Sequence, residues 1–250
     1  MISLNFFMKT TMIICLIAVF SASGMAQEKN NTLSKKEKKE DWVLMFNGKT
    51  TEGWRGYNKT TFPEKGWVVE EGTLHVIGSN RGEAGGGGGD LLYDKKFRNF
   101  ELSLEWKVSE GGNSGIFYLA QEIPGEPVWK SAPEMQILDN ERHPDAKLGV
   151  DGNRAAGSLY DLIPGDMKAV KPAGEWNKVS ILVYKGTVVH TVNGKQVLEY
   201  HLWTEDWKKM VLNSKFKDYE WFLNTAEEGY IVLQDHGDDV WFRNIKIKEM

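Results

Sequence analysis

The sequence predicts an all-β domain of two antiparallel sheets packed face to face, one of them curved into a groove. Three observations carry this. Short runs of alternating apolar and polar residues dominate the chain, each bounded by turn residues. The stretch from Tyr184 to Val197 holds two tight-turn signals, Lys185-Gly186 and Asn193-Gly194, which read as consecutive hairpins and so as antiparallel pairing. Helix signals are scarce, which argues against an alternating βα fold.

In chain order the strand-like runs are WVLMFNG, GWVVEEGTLHVIG, DLLYDKKF, FELSLEWKV, GIFYLA, PEMQILD, WNKVSILVYKGTVVHTVNGKQVLEY, YIVLQDHG and VWFRNIKI. Within FELSLEWKV, Phe100, Leu102, Leu104, Trp106 and Val108 form the core face, and Glu101, Ser103, Glu105 and Lys107 the other. In the last run Val240 and Phe242 keep one phase while Ile245 and Ile247 keep the other. A bulge near Arg243 and Asn244 reconciles them and could re-aim a side chain at a site, or the strand could simply end its pairing there. The best helix is TEDWKKMVL, with Thr204 as cap and Glu205 and Asp206 in the first turn; a second short helix is expected near Ser214 to Trp221.

The N-terminus reads as a secretory signal over residues 1–26, with Lys9 as its charge, Met12 to Phe20 as its apolar stretch and cleavage between Ala26 and Gln27. Met8 offers an alternative start. Residues 27–41 are mixed-charge with one leucine and are expected to be a linker. Residues 42–250 then form one domain, of a size common for a single sandwich. The expected location is outside the cytoplasm: secreted, periplasmic or at the cell surface.

The only cysteine, Cys15, lies in the signal, so disulfides, a catalytic thiol and thiolate metal sites are excluded from the mature chain. The net charge of −4 becomes −5 once Lys9 leaves with the signal, which speaks against nucleic acid as a partner. No run after the signal is long enough to span a bilayer. The sequence does not define an oligomeric state. Of ten tryptophans, Trp42, Trp106 and Trp176 sit in strand patterns that favour core packing over sugar stacking.

Two strands carry polar chemistry. In PEMQILDNERHPDAK, Glu134, Gln136 and Leu138 point one way and Met135, Ile137 and Asp139 the other, and the following loop adds Glu141, Arg142, His143, Asp145 and Lys147. In YIVLQDHG, Val232, Gln234 and His236 share one face and Ile231, Leu233 and Asp235 the other. Two such strands could line one cleft, or each could be a solvated sheet face. The glycines from Gly85 to Gly89 lack the lysine, serine and helix of a phosphate loop and read as a flexible connection or a place of close backbone approach. GGNSG, from Gly111 to Gly115, is a turn whose Asn113 caps it or reaches into the groove. His143 and His236 with Glu134, Asp139 or Glu105 could ligate a divalent ion, although no metal-binding spacing is present and no cofactor is required. A serine-nucleophile elbow is absent.

Seven ordered blocks, FNGKTTEGW, FELSLEWKVSEGGNSGIF, PEMQILDNERHPDAK, GSLYDLIPG, KPAGEWN, VNGKQVLEY and LQDHGDDVWFRNIKI, resemble the 3-keto-disaccharide hydrolase domain over essentially the whole mature chain. The resemblance implies a concanavalin A-like jelly-roll sandwich and hydrolysis of disaccharides or glycosides oxidised to a ketone at C3. PEMQ and the long glycine run depart from the familiar pattern and bear on the substrate more than on the fold. A C3 ketone acidifies the C2 proton and leaves the glycosidic oxygen one carbon beyond, so the bond can break by elimination, and water then adds at C1. Glu134 and His236 are the expected acid and base, in either order. Glu105, Asn113, Gln136, Asp139, Arg142, His143, Tyr160, Gln234 and Arg243 are candidates for holding the sugar, and Asn113, Gln136, His143, Tyr160, Gln234 and Arg243 among them for its hydroxyls or the ketone. Two other classes fit such a chain. A lectin-like binding module needs no titratable pair, and a conventional glycosidase needs paired carboxylates, for which only Glu134 and Asp139 come near.

Overall fold

The computed structural model describes residues 29–79 and 87–250. The expected signal segment, residues 1–26, lies outside the described residues, as does the first part of the glycine run. The fold is the expected two-sheet sandwich, jelly-roll-like and antiparallel throughout its strand pairs.

The strands are β1 (Val43–Leu44), β2 (Trp54–Gly56), β3 (Trp67–Glu70), β4 (Thr73–Val76), β5 (Leu91–Tyr93), β6 (Phe100–Val108) and β7 (Asn113–Ala120). They continue as β8 (Glu134–Leu138), β9 (Asn177–Tyr184), β10 (Thr187–Val192), β11 (Lys195–His201), β12 (Tyr230–Leu233) and β13 (Val240–Glu249). One sheet runs β11-β10-β9-β6-β13-β4-β3, with β1 also on β13; the smaller runs β2-β5-β12-β7-β8. Their inner faces meet in one apolar core. Phe100, Leu102, Leu104 and Trp106 of β6 enter it from the large sheet, and Ile116, Met135, Ile137, Ile231 and Leu233 from the small one. A chain of buried polar groups threads this core. The Tyr118 and Tyr200 hydroxyls lie 2.6 Å apart, Tyr118 donates to His190 Nε2 at 2.9 Å, and His190 Nδ1 donates to Gly157 O at 3.2 Å. Burial holds His190 neutral by pushing its pKa down to about 4.

Both hairpin turns have the positive φ at two successive residues that a tight right-twisted hairpin demands, +49° and +85° at Lys185-Gly186 and +49° and +82° at Asn193-Gly194. The bulge in β13 falls where the phase change put it, between Arg243 and Lys246. It serves a different purpose from the one expected. Asn244 exchanges hydrogen bonds with Asn31, whose N–H donates to Asn244 Oδ1 at 2.6 Å and whose Oδ1 accepts from Asn244 N at 2.8 Å, and Asn31 Nδ2 reaches Gly72 O.

The segment expected as a linker is therefore docked on the large sheet from Asn31 onward. It contains helix α1 (Lys35–Lys39), whose Ser34 and Glu37 form a reciprocal capping box, and Glu37 pairs with Lys246. Two further helices follow β11. In α2 (Glu205–Leu212) Thr204 Oγ1 accepts from Trp207 N, as its sequence predicts; α3 (Glu220–Leu223) begins six residues later than expected because Ser214 and Phe216 close a turn first. Trp106 is in the core, but Trp42 and Trp176 are only half-buried: Trp176 lies on the outer face of the large sheet under the Arg243 guanidinium, 3.9 Å from its ring centre. Among the described residues no helix is long and apolar enough to cross a membrane.

Candidate active site

The outer face of the small sheet is divided in two. At one end Leu92, Phe117 and Val232 form a minor apolar cluster with Ala120, Val128 and Ala132, roofed by the segment between β7 and β8. At the other end the same strands turn polar. Leu233 pairs with Ile116 and Leu91, so Gln234 stands opposite Gly115, whose carbonyl accepts its N–H at 3.0 Å, and Gly115 in turn pairs with Gln136. Asp90 extends this rank on the far side, with Oδ1 accepting from Asp235 N at 3.0 Å.

Above this rank lies a cleft of about 240 Å³ lined by Asn113, Glu134, Gln136, Tyr160, Gln234 and His236, with Trp129, Lys215, Phe216 and Tyr219 as its walls. The alternation thus read the shared face correctly. Trp129 meets Tyr219 edge-to-face at 5.3 Å, closing one side with aromatic surface suited to a sugar ring.

Glu134 is 7 % exposed, and Gly115 is what makes room for it. A Cβ at Gly115 would stand 2.0 Å from Glu134 Oε1, so the carboxyl lies over the bare backbone of the neighbouring strand. The Gln136 amide, turned so that its nitrogen rather than its oxygen faces the two acceptors, donates to Ser114 O at 3.0 Å and to Glu134 Oε1 at 3.1 Å. Burial dominates the carboxyl's affinity for its proton. It pushes the pKa up to about 8, against the Lys215 ammonium and with the charges of Asp90 and Asp145. Asp90 is pushed up to about 7, again chiefly by burial.

A carboxyl that releases its proton at 4.5 in the unfolded chain and at about 8 in the folded one contributes stability that is complete below the first value. That contribution is lost as pH rises through the second. The thermal midpoint should therefore fall between pH 5 and pH 8, and Glu134→Gln should flatten that fall, by about 1.4 kcal/mol per pH unit at the steepest. An unchanged slope in thermal scans across that range would assign the loss to other groups.

His236 follows β12 with Asn113 Nδ2 3.4 Å from its Nε2, and the His143 ring stands edge-on behind it at 6.3 Å. His143 is itself buried, its Nδ1 accepting from Asp145 N at 3.1 Å, so it backs the cleft rather than lining it. Tyr160 donates to Asp145 Oδ2 at 2.8 Å, and Arg154 holds the other Asp145 oxygen at 2.8 Å. Burial, with the hydrogen bond to Asp145, raises the Tyr160 pKa and keeps it a neutral donor.

Four sequence candidates are not brought to the cleft. Glu105 and Arg243 pair at 2.8 Å on the outer face of the other sheet, because alternation tells inside from outside but not which of two outer faces a residue joins. Asp139 is 2 % exposed and accepts from Gly111 N and Glu141 N at 2.8 and 3.0 Å. Burial alone would raise its pKa, but these bonds and those from Arg142 outweigh it and hold it low. Arg142 reaches Asp139 at 3.4 Å and Glu110 at 3.6 Å, bracing the loop. Glu105 and Asp139 thus stand apart from the other candidate metal ligands, and among the described residues no three or more His, Cys, Asp or Glu side chains are arranged to hold a metal ion. The end of the glycine run serves packing: Gly88 and Gly89 donate to Asp235 Oδ2 at 3.0 Å, and a Cβ at Gly88 would meet Lys65 O at 2.4 Å.

Lys215, Phe216, Tyr219 and Trp129, which sequence reasoning missed, come from loops and short helices with no period to read. Asp90 was missed for another reason. It precedes a three-residue strand, and only that strand's alternation, with Leu92 facing out, could have placed it beside Gln234.

The same fold recurs in known proteins. The chain is 50% identical over 251 residues to the 3-keto-disaccharide hydrolase of Bacteroides thetaiotaomicron, covering 93% of this chain and 86% of that protein. A solved structure of a presumptive glycosyl hydrolase from Parabacteroides distasonis superposes with a TM-score of 0.77 at 31% identity, over 89% of this chain and all of that one. A second from the same organism gives 0.64 at 25% identity, over 84% of this chain and 99% of that one. The profile described as the 3-keto-alpha-glucoside-1,2-lyase-like domain matches residues 41–248, the whole sandwich with its cleft, and the chain belongs to that family.

Proposed function

We propose that this protein is an exported hydrolase that cleaves the glycosidic bond of 3-keto-disaccharides or 3-keto-glycosides by elimination followed by hydration. The observation that carries the reading is Glu134, a carboxyl buried over Gly115 in a sugar-sized cleft, where burial raises its affinity for a proton. The Bacteroides relative's activity supports the substrate class. The tripartite N-terminus of the sequence supports export.

In this reading His236 takes the C2 proton, and Glu134 gives its proton to the departing glycosidic oxygen. Asn113, Gln136, Gln234 and Tyr160 hold sugar hydroxyls, and Trp129 and Tyr219 cover a ring face. A conventional glycosidase would need a second carboxylate across the scissile bond. Asp139, the residue nearest that role in sequence, is turned away and clasped by backbone N–H groups. A binding module would gain nothing from keeping a carboxyl buried and protonated, since that costs stability.

The test is to incubate the purified protein with a 3-keto disaccharide deuterated at C2 and with its unoxidised parent, each with and without chelator. We expect cleavage of the keto sugar alone, with loss of deuterium to solvent or a primary isotope effect. Equal cleavage of the parent, or complete retention of deuterium without an isotope effect, would overturn elimination.

A further inference from the structure

Removing the C2 proton of a 3-keto sugar moves an electron pair toward C3 and leaves negative charge on the ketone oxygen. The barrier depends on what faces that oxygen. Asn113, Gln136 and Gln234 offer only neutral amides, and the Tyr160 hydroxyl gives its proton to Asp145, so it can accept from a sugar hydroxyl but not donate to a ketone. Among the residues lining the cleft, one carries a cation, Lys215.

Lys215 sits in the turn between α2 and α3, where Ser214 Oγ donates to Val211 O at 2.7 Å and accepts from Phe216 N at 3.1 Å. Its neighbour Phe216 is buried and stacked on Phe222 at 4.1 Å, which fixes the turn against the sandwich. The ammonium folds over the Tyr160 ring, 4.0 Å from its centre, while the side chain as a whole stays open to solvent at the cleft mouth. Among the described residues no carboxylate lies within ion-pair distance of it, whereas Arg154 beside it is fully engaged by Asp145 and Asp161. The lysine is thus held by an aromatic face, with its N–H donors uncommitted. Partial shielding of the ammonium end, which lies on the Tyr160 ring, lowers its pKa, and Asp161, Glu134 and Asp145 oppose that shift.

We infer that Lys215 binds the C3 ketone oxygen of the substrate through its ammonium and stabilises the enolate formed when the C2 proton leaves. This rests on the keto-sugar reading above and assigns the one role it left open. The step balances. The C2–H pair becomes the C2=C3 bond of the enolate and the ketone pair moves onto the oxygen facing Lys215. Re-forming the ketone places the double bond between C1 and C2 and expels the glycosidic oxygen, which takes the Glu134 proton. Water then adds its oxygen to C1 and a proton to C2. No bond to the lysine nitrogen forms.

Lys215→Met keeps the stem and removes the charge. With the 3-keto disaccharide, kcat should fall roughly 10² to 10³-fold, the usual effect of losing one such donor, with a much smaller change in KM. Exchange of the C2 hydrogen should slow in step, and Lys215→Arg should recover much of the loss. A thermal midpoint unchanged in both variants would tie the effect to the site. If the unaltered protein cleaves the keto sugar and Lys215→Met does so at full kcat, the inference falls and the functional reading stands. If the unaltered protein cleaves no 3-keto sugar, both fall. A sugar adduct trapped on Lys215 by borohydride would overturn the electrostatic role.

Discussion

Replacing Glu134 with Gln should lower turnover of a 3-keto disaccharide by roughly 10² to 10⁴-fold, the usual contribution of a general acid. Binding should change far less. The amide keeps the volume over Gly115, so the cleft keeps its shape, but it cannot give a proton to a leaving alkoxide. The loss should depend on the leaving group. A 3-keto glycoside whose aglycone departs as a stable anion needs no acid, and the variant should act on it nearly as well as the unaltered protein. The pH profile carries the same information. Activity of the unaltered protein should decline as pH rises through about 8, where Glu134 loses its proton, and that limb should be absent in the Gln variant. Steady-state kinetics on a poor and a good leaving group decide the matter. Equal, full activity of Glu134→Gln on both would remove the residue from catalysis.

The pattern of the sequence and the pattern of the sandwich share a period, and that is why so much of the site could be read in advance. Alternation puts Glu134 and Gln136 on the outward side of one strand and Gln234 and His236 on the outward side of another, because Met135, Ile137, Ile231 and Leu233 point into the core, and membership of one sheet then brings the two pairs together. The same logic misled for Glu105 and Arg243. A sandwich has two outer faces, and a residue's phase within its strand does not say which one it occupies. The distinction lies in strand order, where β6 and β13 sit in the large sheet and β7, β8 and β12 in the small one. Strand order is a product of long-range pairing and has no local signature.

Composition misled in a second place. The run before Trp42 is so highly charged that it reads as unstructured, yet Ser34 and Glu37 carry the spacing of a capping box, and Asn31 fits the backbone opened by the bulge at Asn244. Local hydrogen bonding, not apolar burial, orders this segment, since α1 buries no residue of its own. The walls of the cleft were out of reach for a third reason. Trp129, Lys215, Phe216 and Tyr219 lie up to 90 positions apart on irregular segments and meet only because the sheet brings their anchors together.

Gly115→Ala tests the geometry of the acid without touching its chemistry. The added Cβ would stand 2.0 Å from Oε1, 2.7 Å from Cδ and 2.9 Å from Cγ of Glu134, and each of these atoms belongs to a side chain that can swing. The strand therefore has no need to move. The carboxyl must, and it then leaves the position from which it faces the scissile bond and receives the Gln136 amide. A displacement of this size costs about 10²-fold in rate when it moves a catalytic group out of line. We expect Gly115→Ala to lose turnover on that scale while its thermal midpoint shifts little, because Glu134 gains solvent where it had been buried at a cost. The decisive measurement is the double variant. If the glycine acts only by seating Glu134, then Gly115→Ala in the Glu134→Gln background should add almost nothing to the loss already present. Independent, multiplying losses would mean that Gly115 contributes to the cleft in its own right, by letting the sugar itself approach the β7 backbone.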